Sequence, residues 1–313
     1  MTTLRVLAFA FIVAWPDYLR ARTVRDLAGF WDAHTHLSLY GPAALDSLKA
    51  YNVVAVRDLG ANKLDEILRW RSEIATGTRK GPRIFTSGVI LDGPKEDSAN
   101  RWTLRTEADA ARAVDSLAKR GVDFIKTHNA ISRPVYFAIL RAAKVHKLKV
   151  ASHIPRGVTA WEAADSGASS IEHAAESMMA SPIYAGFAKD FAEAAAWWKS
   201  PAGLSAIERL KRSGVYVTPT LALYAANVNL PTDSTARAAR RDALQDLVEL
   251  TRSIRNAGIP IMAGSDIAAL RQDYRPGQAL KEEMAWLRRA GLTEIEVQRA
   301  AGENIARWLG QHP

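Results

Sequence analysis

Eight apolar, β-type runs alternate with helix-type stretches from Phe30 onward, and this alternation limits the fold more than any other feature of the sequence. A parallel pair of strands needs a long crossover, which is usually a helix, so the pattern predicts parallel β-structure. Eight such units favour closure, and we predict an α/β protein with a (β/α)8 TIM barrel. The predicted strands are residues 30–36, 53–58, 83–90, 122–126, 149–153, 170–173, 215–220 and 259–266.

The first of these runs ends in two histidines that are separated by one residue, His34 and His36. Side chains at i and i+2 leave the same face of a strand, so both imidazoles point towards one place. Four further ligand-type residues end or follow later runs, where the carboxyl ends of barrel strands carry active-site residues. They are Lys126, His153, His173 and Asp266.

The segments around these residues resemble those of the amidohydrolase superfamily, and within it those of the imidazolonepropionase-like and Xaa-Pro dipeptidase-like branch. The resemblance extends over residues 24–310, which we take as one catalytic domain. It rests on WDAHTH at 31–36, VRDLG at 56–60, DFIK at 123–126, ASHIPRGV at 151–158, IEH at 171–173 and AGSD at 263–266.

The resemblance implies two divalent metal ions, usually zinc, with manganese, iron or cobalt as alternatives. The first ion would be held by His34, His36 and Asp266, and the second by His153 and His173. Lys126 would bridge the two ions as a carbamate formed with carbon dioxide. The chemistry of a buried lysine agrees, since burial among cations favours the neutral amine. The alternative is a core lysine that is paired with an acid.

The expected reaction is hydrolysis of an amide (C–N) bond by a metal-bridging hydroxide, with Asp266 as the general base. The expected substrate is a small molecule, such as a dipeptide of the Xaa-Pro type or an N-acyl amino acid. An esterase, lactonase or phosphotriesterase would use the same binuclear site. An alternative of another class is a truncated, non-catalytic binding or scaffold protein.

Other polar residues near these segments allow two interpretations each. His128 lies two residues after Lys126 and either contacts the substrate or its oxyanion, or supports a ligand by a hydrogen bond. Arg156 either clamps a substrate carboxylate or forms a salt bridge at the barrel rim. Glu172 is predicted to point away from His173 and to lie at the rim.

Composition excludes several classes of protein and site. The 313 residues contain no cysteine, which rules out disulfides, thiolate metal sites and a cysteine nucleophile. The formal net charge is +9, but the basic residues are scattered over helix-like segments and no nucleic-acid motif accompanies them. We therefore expect a small-molecule or dipeptide substrate and no nucleic-acid partner.

The N-terminal segment 1–23 contains a ten-residue apolar run, 6–15, which is too short for stable insertion across a membrane. It is either the core of a signal peptide or a cover for the bottom of the barrel, and export to a periplasmic location is slightly favoured over a cytoplasmic one. Relatives carry a small β-sandwich built from segments before strand one and after the last barrel helix, and we expect it to be essentially missing here. The apolar surface thus left exposed would favour a homo-oligomer.

Three connections that follow predicted strands are longer than usual, and we predict that they form lids over the catalytic face. They are residues 92–104, 174–205 and 221–235.

Overall fold

The computed structural model describes residues 29–60, 63–94, 101–228, 230, 232–266 and 275–311, and it has the predicted α/β architecture with parallel strands. The predicted N-terminal segment 1–23 lies outside these residues. The strands are β1 (Phe30–Thr35), β2 (Val53–Asp58), β3 (Arg83–Thr86), β4 (Ile90–Asp92), β5 (Arg101–Thr103), β6 (Phe124–Thr127), β7 (Lys149–Ser152), β8 (Ser170–Glu172) and β9 (Tyr216–Thr218).

Helices follow most of the strands, as the sequence pattern predicts. They are α1 (Leu37–Tyr40), α2 (Ala43–Ala50), α3 (Leu64–Ala75), α4 (Glu107–Lys119), α5 (Arg133–Val145), α6 (Ala160–Asp165), a π-helix (Ala174–Met179), α7 (Ser181–Tyr184), α8 (Phe191–Lys199), α9 (Pro201–Ser213), α10 (Leu221–Val228), α11 (Ser234–Asn256), α12 (Gln278–Arg289), α13 (Glu294–Ala300) and α14 (Glu303–Trp308). Within the described residues, no helix combines the length and the apolar character needed to cross a membrane.

Helix α4 illustrates how the sequence builds these crossovers. Thr106 and Asp109 form a capping box, in which each side chain accepts a hydrogen bond from the backbone N–H of the other residue. The buried side chains of the helix are Ala110, Ala113, Val114 and Leu117, which recur with helical periodicity. One face of helix α4 therefore packs against the core.

The strands form two parallel sheets, with the orders β1-β2-β3 and β5-β4-β6-β7-β8-β9. The segment 259–266 makes hydrogen bonds to one strand of each sheet. Met262 N donates to Val217 O of β9 at 2.9 Å, and Asp266 N donates to His34 O of β1 at 2.8 Å. The two sheets also approach each other at Thr86, whose carbonyl oxygen accepts a hydrogen bond from Asp123 N at 2.9 Å.

Two predicted strands were wrong in their extent. The run 83–90 is interrupted after β3, because Gly88 has a φ of 73° and its N–H donates to Thr86 Oγ1 instead of continuing a ladder. The run 259–266 pairs as an isolated bridge between Ile261 and Val217. Pro260 lacks an N–H group and cannot take part in a regular ladder on both sides.

The predicted lid segments contain regular structure. Residues 174–205 form the π-helix, α7, α8 and the beginning of α9, and residues 221–228 form α10. In the first segment, 92–104, the described part includes β5, which pairs with β4. Residues 95–100 lie outside the described residues, and the role of the three segments as lids stays a prediction.

A buried ion pair fills the interior below the strand ends. Arg57 Nη2 lies 2.6 Å from Glu172 Oε1, and neither side chain is exposed to solvent. The guanidinium also donates to Ala33 O at 2.7 Å and lies 4.2 Å from the ring centroid of Trp308. The prediction that Glu172 lies at the rim was therefore wrong. The Glu172 side chain points into the protein interior, where the Arg57 guanidinium balances its charge.

A second buried acid joins two helices. Glu283 of α12 is fully buried, and its Oε2 accepts a hydrogen bond from Ala222 N at 2.7 Å, in the first turn of α10. Burial raises the pKa of Glu283 to about 8, because a carboxylate loses its hydration there. The first turn of α10 is thus held by a carboxyl group that favours its protonated form.

We expect Arg57→Met to lower the free energy of unfolding by about 3–5 kcal/mol, because it leaves the Glu172 carboxylate buried without its cation. Urea denaturation followed by circular dichroism measures this change. The control is Lys119→Met, which removes one partner of the exposed Lys119–Asp115 pair and should leave the unfolding free energy nearly unchanged. Equal stabilities of the two variants would contradict a structural role for Arg57.

We expect Glu283→Gln to become more stable relative to the wild type as the pH rises from 5 to 8. The folded protein keeps the Glu283 proton up to a pKa of about 8, whereas the unfolded chain releases it near 4.5, so the contribution of this group is lost across that interval. The difference should reach the order of a few kcal/mol. Thermal unfolding at several pH values measures it, with the exposed Glu208→Gln as control. Parallel pH curves for wild type and Glu283→Gln would contradict it.

Candidate metal centre

The ends of the parallel strands bring five of the six predicted ligand residues to the lining of one cavity, and the sixth, His34, contacts the lining residue Asp266. His34 belongs to β1 and His36 follows it, Lys126 belongs to β6, and His153 and His173 directly follow β7 and β8. The cavity has a volume of about 240 Å³. Its lining residues are His36, Leu39, Gly60, Ile90, Arg101, Lys126, His128, His153, His173, Glu176, Leu223 and Asp266.

Five of the seven histidines form a continuous row along this cavity. The ring centroids lie 5.3 Å apart for His36 and His34, 4.7 Å for His34 and His173, 4.9 Å for His173 and His153, and 4.4 Å for His153 and His128. Such a concentration of imidazoles in a largely buried place is typical of metal ligation, because buried cationic imidazoles would repel one another.

His34, His36 and Asp266 have the spacing of three ligands of one ion. The Asp266 Oδ1 atom lies 3.3 Å from His34 Nε2 and 3.4 Å from His36 Nε2. Two ligands of a tetrahedral zinc ion, at about 2.0–2.1 Å from the metal, lie roughly 3.3 Å from each other. All three side chains offer ligand atoms within 4.8 Å of one another, so this group could hold a divalent cation.

Both of these histidines are oriented by their other ring nitrogen. His34 Nδ1 lies 3.0 Å from Glu172 Oε2, and His36 Nδ1 lies 2.7 Å from Gly60 O. An acceptor at Nδ1 keeps the proton there and leaves the Nε2 lone pair directed at the Asp266 carboxylate, which is the arrangement found for metal-ligating histidines. Burial also lowers the pKa of His34 well below its usual value, which favours the neutral ligand form.

Strained backbone surrounds the site. Three non-glycine residues near the cavity have positive φ angles: His173 at 63°, Thr220 at 55° and Asp266 at 44°. Each such conformation costs of the order of 1–3 kcal/mol and persists only where its surroundings fix it. Here His173 Nδ1 lies 3.1 Å from Asp266 Oδ2 and 3.4 Å from Thr220 Oγ1, so the three strained residues contact one another through side chains.

Several buried nitrogen atoms in the site have no hydrogen-bond partner among the described residues. They are Lys126 Nζ, both ring nitrogens of His153, and His34 Nε2. An unpaired buried polar atom is costly, so each of these atoms needs a partner beyond those that the described residues supply. Burial lowers the pKa of Lys126 to about 8, which favours the neutral amine. Metal ions and a carbamate on Lys126 fit this set of atoms.

Asp32 orients the first strand and the loop that carries Asp266, a role that the sequence alone did not indicate. Its carboxylate accepts hydrogen bonds from His34 N at 3.1 Å, Ser265 N at 2.9 Å and Ser265 Oγ at 2.6 Å. Burial raises the pKa of Asp32 to about 6, although these donors counteract it. The side chain thus joins the residues next to two of the predicted ligands.

A charged group on the opposite side of the cavity was also not predicted. Asp92, at the end of β4, lies 2.7 Å from Arg101 Nη1 and 3.2 Å from His128 Nδ1. Burial by itself raises the pKa of Asp92, but its contacts with His128 and Arg101 outweigh it and bring the pKa to about 2. Burial lowers the pKa of His128 to about 4, so this imidazole is neutral.

The structure does not bring Arg156 into the lining of the cavity. Its side chain is exposed and lies close to the Tyr184 hydroxyl, whose pKa burial raises and the guanidinium partly lowers. Its predicted role as a clamp for a substrate carboxylate stays a prediction. Arg101 does line the cavity. The sequence analysis had not singled it out, because it lies inside the connection 92–104 and not at the end of a predicted strand.

No protein-family model and no curated protein matches the sequence. Solved structures do match the fold. Bottromycin amidohydrolase is 23% identical with a TM-score of 0.71, and the match covers 91% of this chain and 68% of that one. A Xaa-Pro dipeptidase with methionine bound in its active site is 17% identical with a TM-score of 0.66, covering 90% and 75%. The A. niger ochratoxinase is 17% identical with a TM-score of 0.67, covering 90% and 71%.

These matches confirm the resemblance expected from the sequence at the level of the fold. The similar structures belong to the amidohydrolase superfamily, and they extend over nine-tenths of the chain. Sequence identities below 25% say nothing of activity by themselves, since one fold supports many chemistries. The chain has the fold of the amidohydrolase superfamily.

Proposed function

We propose that this protein is a metal-dependent hydrolase that cleaves an amide bond in a small substrate. The observation that supports it most is the group of buried ligand-type side chains around one cavity, with nitrogen atoms that lack partners within the described chain. A buried group of this kind is difficult to explain as structural, because it leaves hydrogen-bonding capacity unused.

The proposed metal centre contains two divalent ions, with zinc as the first candidate and manganese, iron or cobalt as alternatives. His34, His36 and Asp266 would hold one ion, and His153 and His173 the other. Lys126, after reaction of its neutral amine with carbon dioxide, would offer carbamate oxygens to both. The unpaired Nζ of Lys126 supports this assignment, because the carbamate would occupy a place where no protein acceptor is present among the described residues.

The proposed reaction adds water to the scissile carbonyl and breaks the C–N bond to give a carboxylate and an amine. Divalent ions, when bound, lower the pKa of water and polarise the carbonyl. Asp266 accepts a proton from the attacking water and donates it to the leaving nitrogen. His128 lines the cavity, and its Nδ1 lies 3.2 Å from Asp92 Oδ2 and 3.1 Å from Arg101 Nη1. When Nδ1 accepts the hydrogen bond from Arg101, the neutral ring carries its proton on Nε2, which would donate to the oxyanion as negative charge develops on the carbonyl oxygen.

Two similar structures guide the choice of substrate. One is a prolidase in complex with N-methylphosphonate-L-proline, and another is a Xaa-Pro dipeptidase with bound methionine. We therefore propose a dipeptide, in the first place of the Xaa-Pro type, or an N-acyl amino acid. Ester and phosphotriester substrates are tested in the same panel, because the proposed site would attack those centres as well.

We also propose that the two sheets form one closed (β/α)8 barrel. The hydrogen bonds of segment 259–266 to β9 and β1, together with the approach of Thr86 to Asp123, support it. In a closed barrel all the predicted ligands share the carboxyl end of the strands, which is where the catalytic residues of this architecture lie.

We expect about two metal ions per wild-type chain and fewer in Lys126→Ala. The reason is that the variant lacks the group proposed to join the two ions. The measurement is elemental analysis of folded protein expressed with zinc or manganese and bicarbonate. Lys144→Ala, in an exposed position of α5, should keep the wild-type metal content. A folded wild type without metal would contradict the hydrolase proposal and favour a non-catalytic protein.

We expect Asp266→Ala to lower kcat by several orders of magnitude, since it removes the group proposed to move the proton. Steady-state kinetics on the best dipeptide of the panel measures this loss. Metal analysis of the same variant should still find the ion assigned to His153 and His173. Turnover close to that of the wild type would show that Asp266 is not the general base.

A further inference from the structure

The cavity carries opposite charges on two sides. Arg101, in β5, and Glu176, in the π-helix that follows β8, both line it, and they come from opposite ends of the strand order β5 to β8. In the order of the sheet, β5 and β8 are separated by β4, β6 and β7. Lys126 and His153, from β6 and β7, therefore come between Arg101 and Glu176 in the order of the sheet. A substrate that reaches both charges has its middle part beside the proposed metal centre.

Arg101 is held in place by one side of its guanidinium. Its Nη1 atom lies 2.7 Å from Asp92 Oδ2, and the other carboxylate oxygen of Asp92 accepts hydrogen bonds from Gly93 N and Ala130 N, each at 2.9 Å. Among the described residues, the hydrogen bonds of Arg101 use Nη1 alone. The N–H groups at Nε and Nη2 have the fork geometry that binds a carboxylate with two hydrogen bonds.

Glu176 is held in a comparable way. The Tyr224 hydroxyl of α10 donates a hydrogen bond to Glu176 Oε2. Burial and the nearby Glu176 carboxylate raise the pKa of Tyr224 well above its usual value, so the phenol remains a donor. The π-helix that carries Glu176 begins directly after His173, and single π-turns of this kind occur often at functional sites. The carboxylate is thereby fixed at the edge of the cavity.

We propose that Arg101 and Glu176 bind the two charged ends of an unblocked dipeptide. Arg101 takes the C-terminal carboxylate, and Glu176 takes the α-ammonium group. This inference rests on the proposed amide hydrolysis and narrows its substrate from dipeptides and N-acyl amino acids to zwitterionic dipeptides. The cavity volume of about 240 Å³ agrees with a small substrate, and Leu39, Ile90 and Leu223 supply apolar contact for its side chains.

The order of the charges also fixes the direction of the substrate. Two residues in extended form span at most about 7 Å, so the peptide bond lies close to the midpoint between both ends. With the carboxylate at Arg101, the leaving amine is on the side of β5, and the acyl part is on the side of β8. An N-acyl amino acid would keep the contact with Arg101 and leave Glu176 without a cation.

The test removes each charge from the protein and, separately, from the substrate. Alanyl-proline is compared with N-acetyl-alanyl-proline and with alanyl-proline amide, on wild-type protein, Arg101→Gln and Glu176→Gln. For the wild type we expect kcat/KM to fall at least about tenfold when either end is blocked. The Glu176→Gln variant should show the same fall in kcat/KM on the free dipeptide. On the N-acetyl compound its kcat/KM should be close to that of the wild type, because this substrate has no ammonium group to lose. Arg101→Gln should show the same pattern with the amide.

Binding is measured separately by calorimetry with a phosphinic isostere of alanyl-proline, which keeps both charged ends and is not cleaved. Its affinity should fall at least about tenfold in each variant. The controls are Arg105→Gln and Glu208→Gln, whose side chains are exposed and which should behave as the wild type. If either cavity variant fails to fold, the comparison of free and blocked substrates on the wild type still decides the matter.

Equal kcat/KM values for free and blocked dipeptides on the wild type would overturn the assignment of the charged ends and leave the hydrolase proposal intact. The assignment would also be overturned if Arg101→Gln and Glu176→Gln each lowered kcat/KM by the same factor on the free and on the blocked dipeptides. A metal-loaded protein that neither cleaves a dipeptide nor binds the isostere would overturn both proposals.

Discussion

The carboxylate of Glu172 connects the stability of the buried core with the orientation of the metal-ligand candidates. One oxygen lies 2.6 Å from Arg57 and the other lies 3.0 Å from the His34 ring, with all three side chains excluded from water. Burial by itself raises the pKa of Glu172, but the Arg57 guanidinium and the contact with His34 outweigh it and hold the pKa well below its usual value. The same charge pair that holds three strands together therefore also directs an imidazole into the cavity.

The strained residues of the site depend on this rigid interior. Positive φ angles at His173, Thr220 and Asp266 persist because backbone hydrogen bonds tie the neighbouring segments to the sheet: His173 N donates to Thr218 O at 3.0 Å, and Asp266 N to His34 O at 2.8 Å. The buried core supplies the free energy that offsets this strain. Ligand geometry is thus set by the packing of the whole domain.

The chemistry and the selection of the substrate belong to different parts of the chain. Side chains at strand ends provide the candidate metal ligands, whereas the charged residues Arg101 and Glu176 come from segments that follow strands. Both segments were predicted as lids. Arg101 lies in the short strand β5 of the first segment and Glu176 in the π-helix of the second, and both side chains line the cavity. Such segments can change without disturbing the ligands, which explains how one fold serves many substrates.

The sequence by itself determined the parallel α/β class, because strand and helix periodicities are local properties of the chain. It also marked His34, His36, Lys126, His153, His173 and Asp266, since each stands at or just beyond the end of an apolar run. Only the tertiary structure revealed Glu172, Asp32, Asp92 and Arg101 as partners in the site. Two of their contacts, from Glu172 to Arg57 and from Asp32 to Ser265, join residues more than a hundred positions apart. Such pairs are decided by how the strands lie side by side, which no local pattern records.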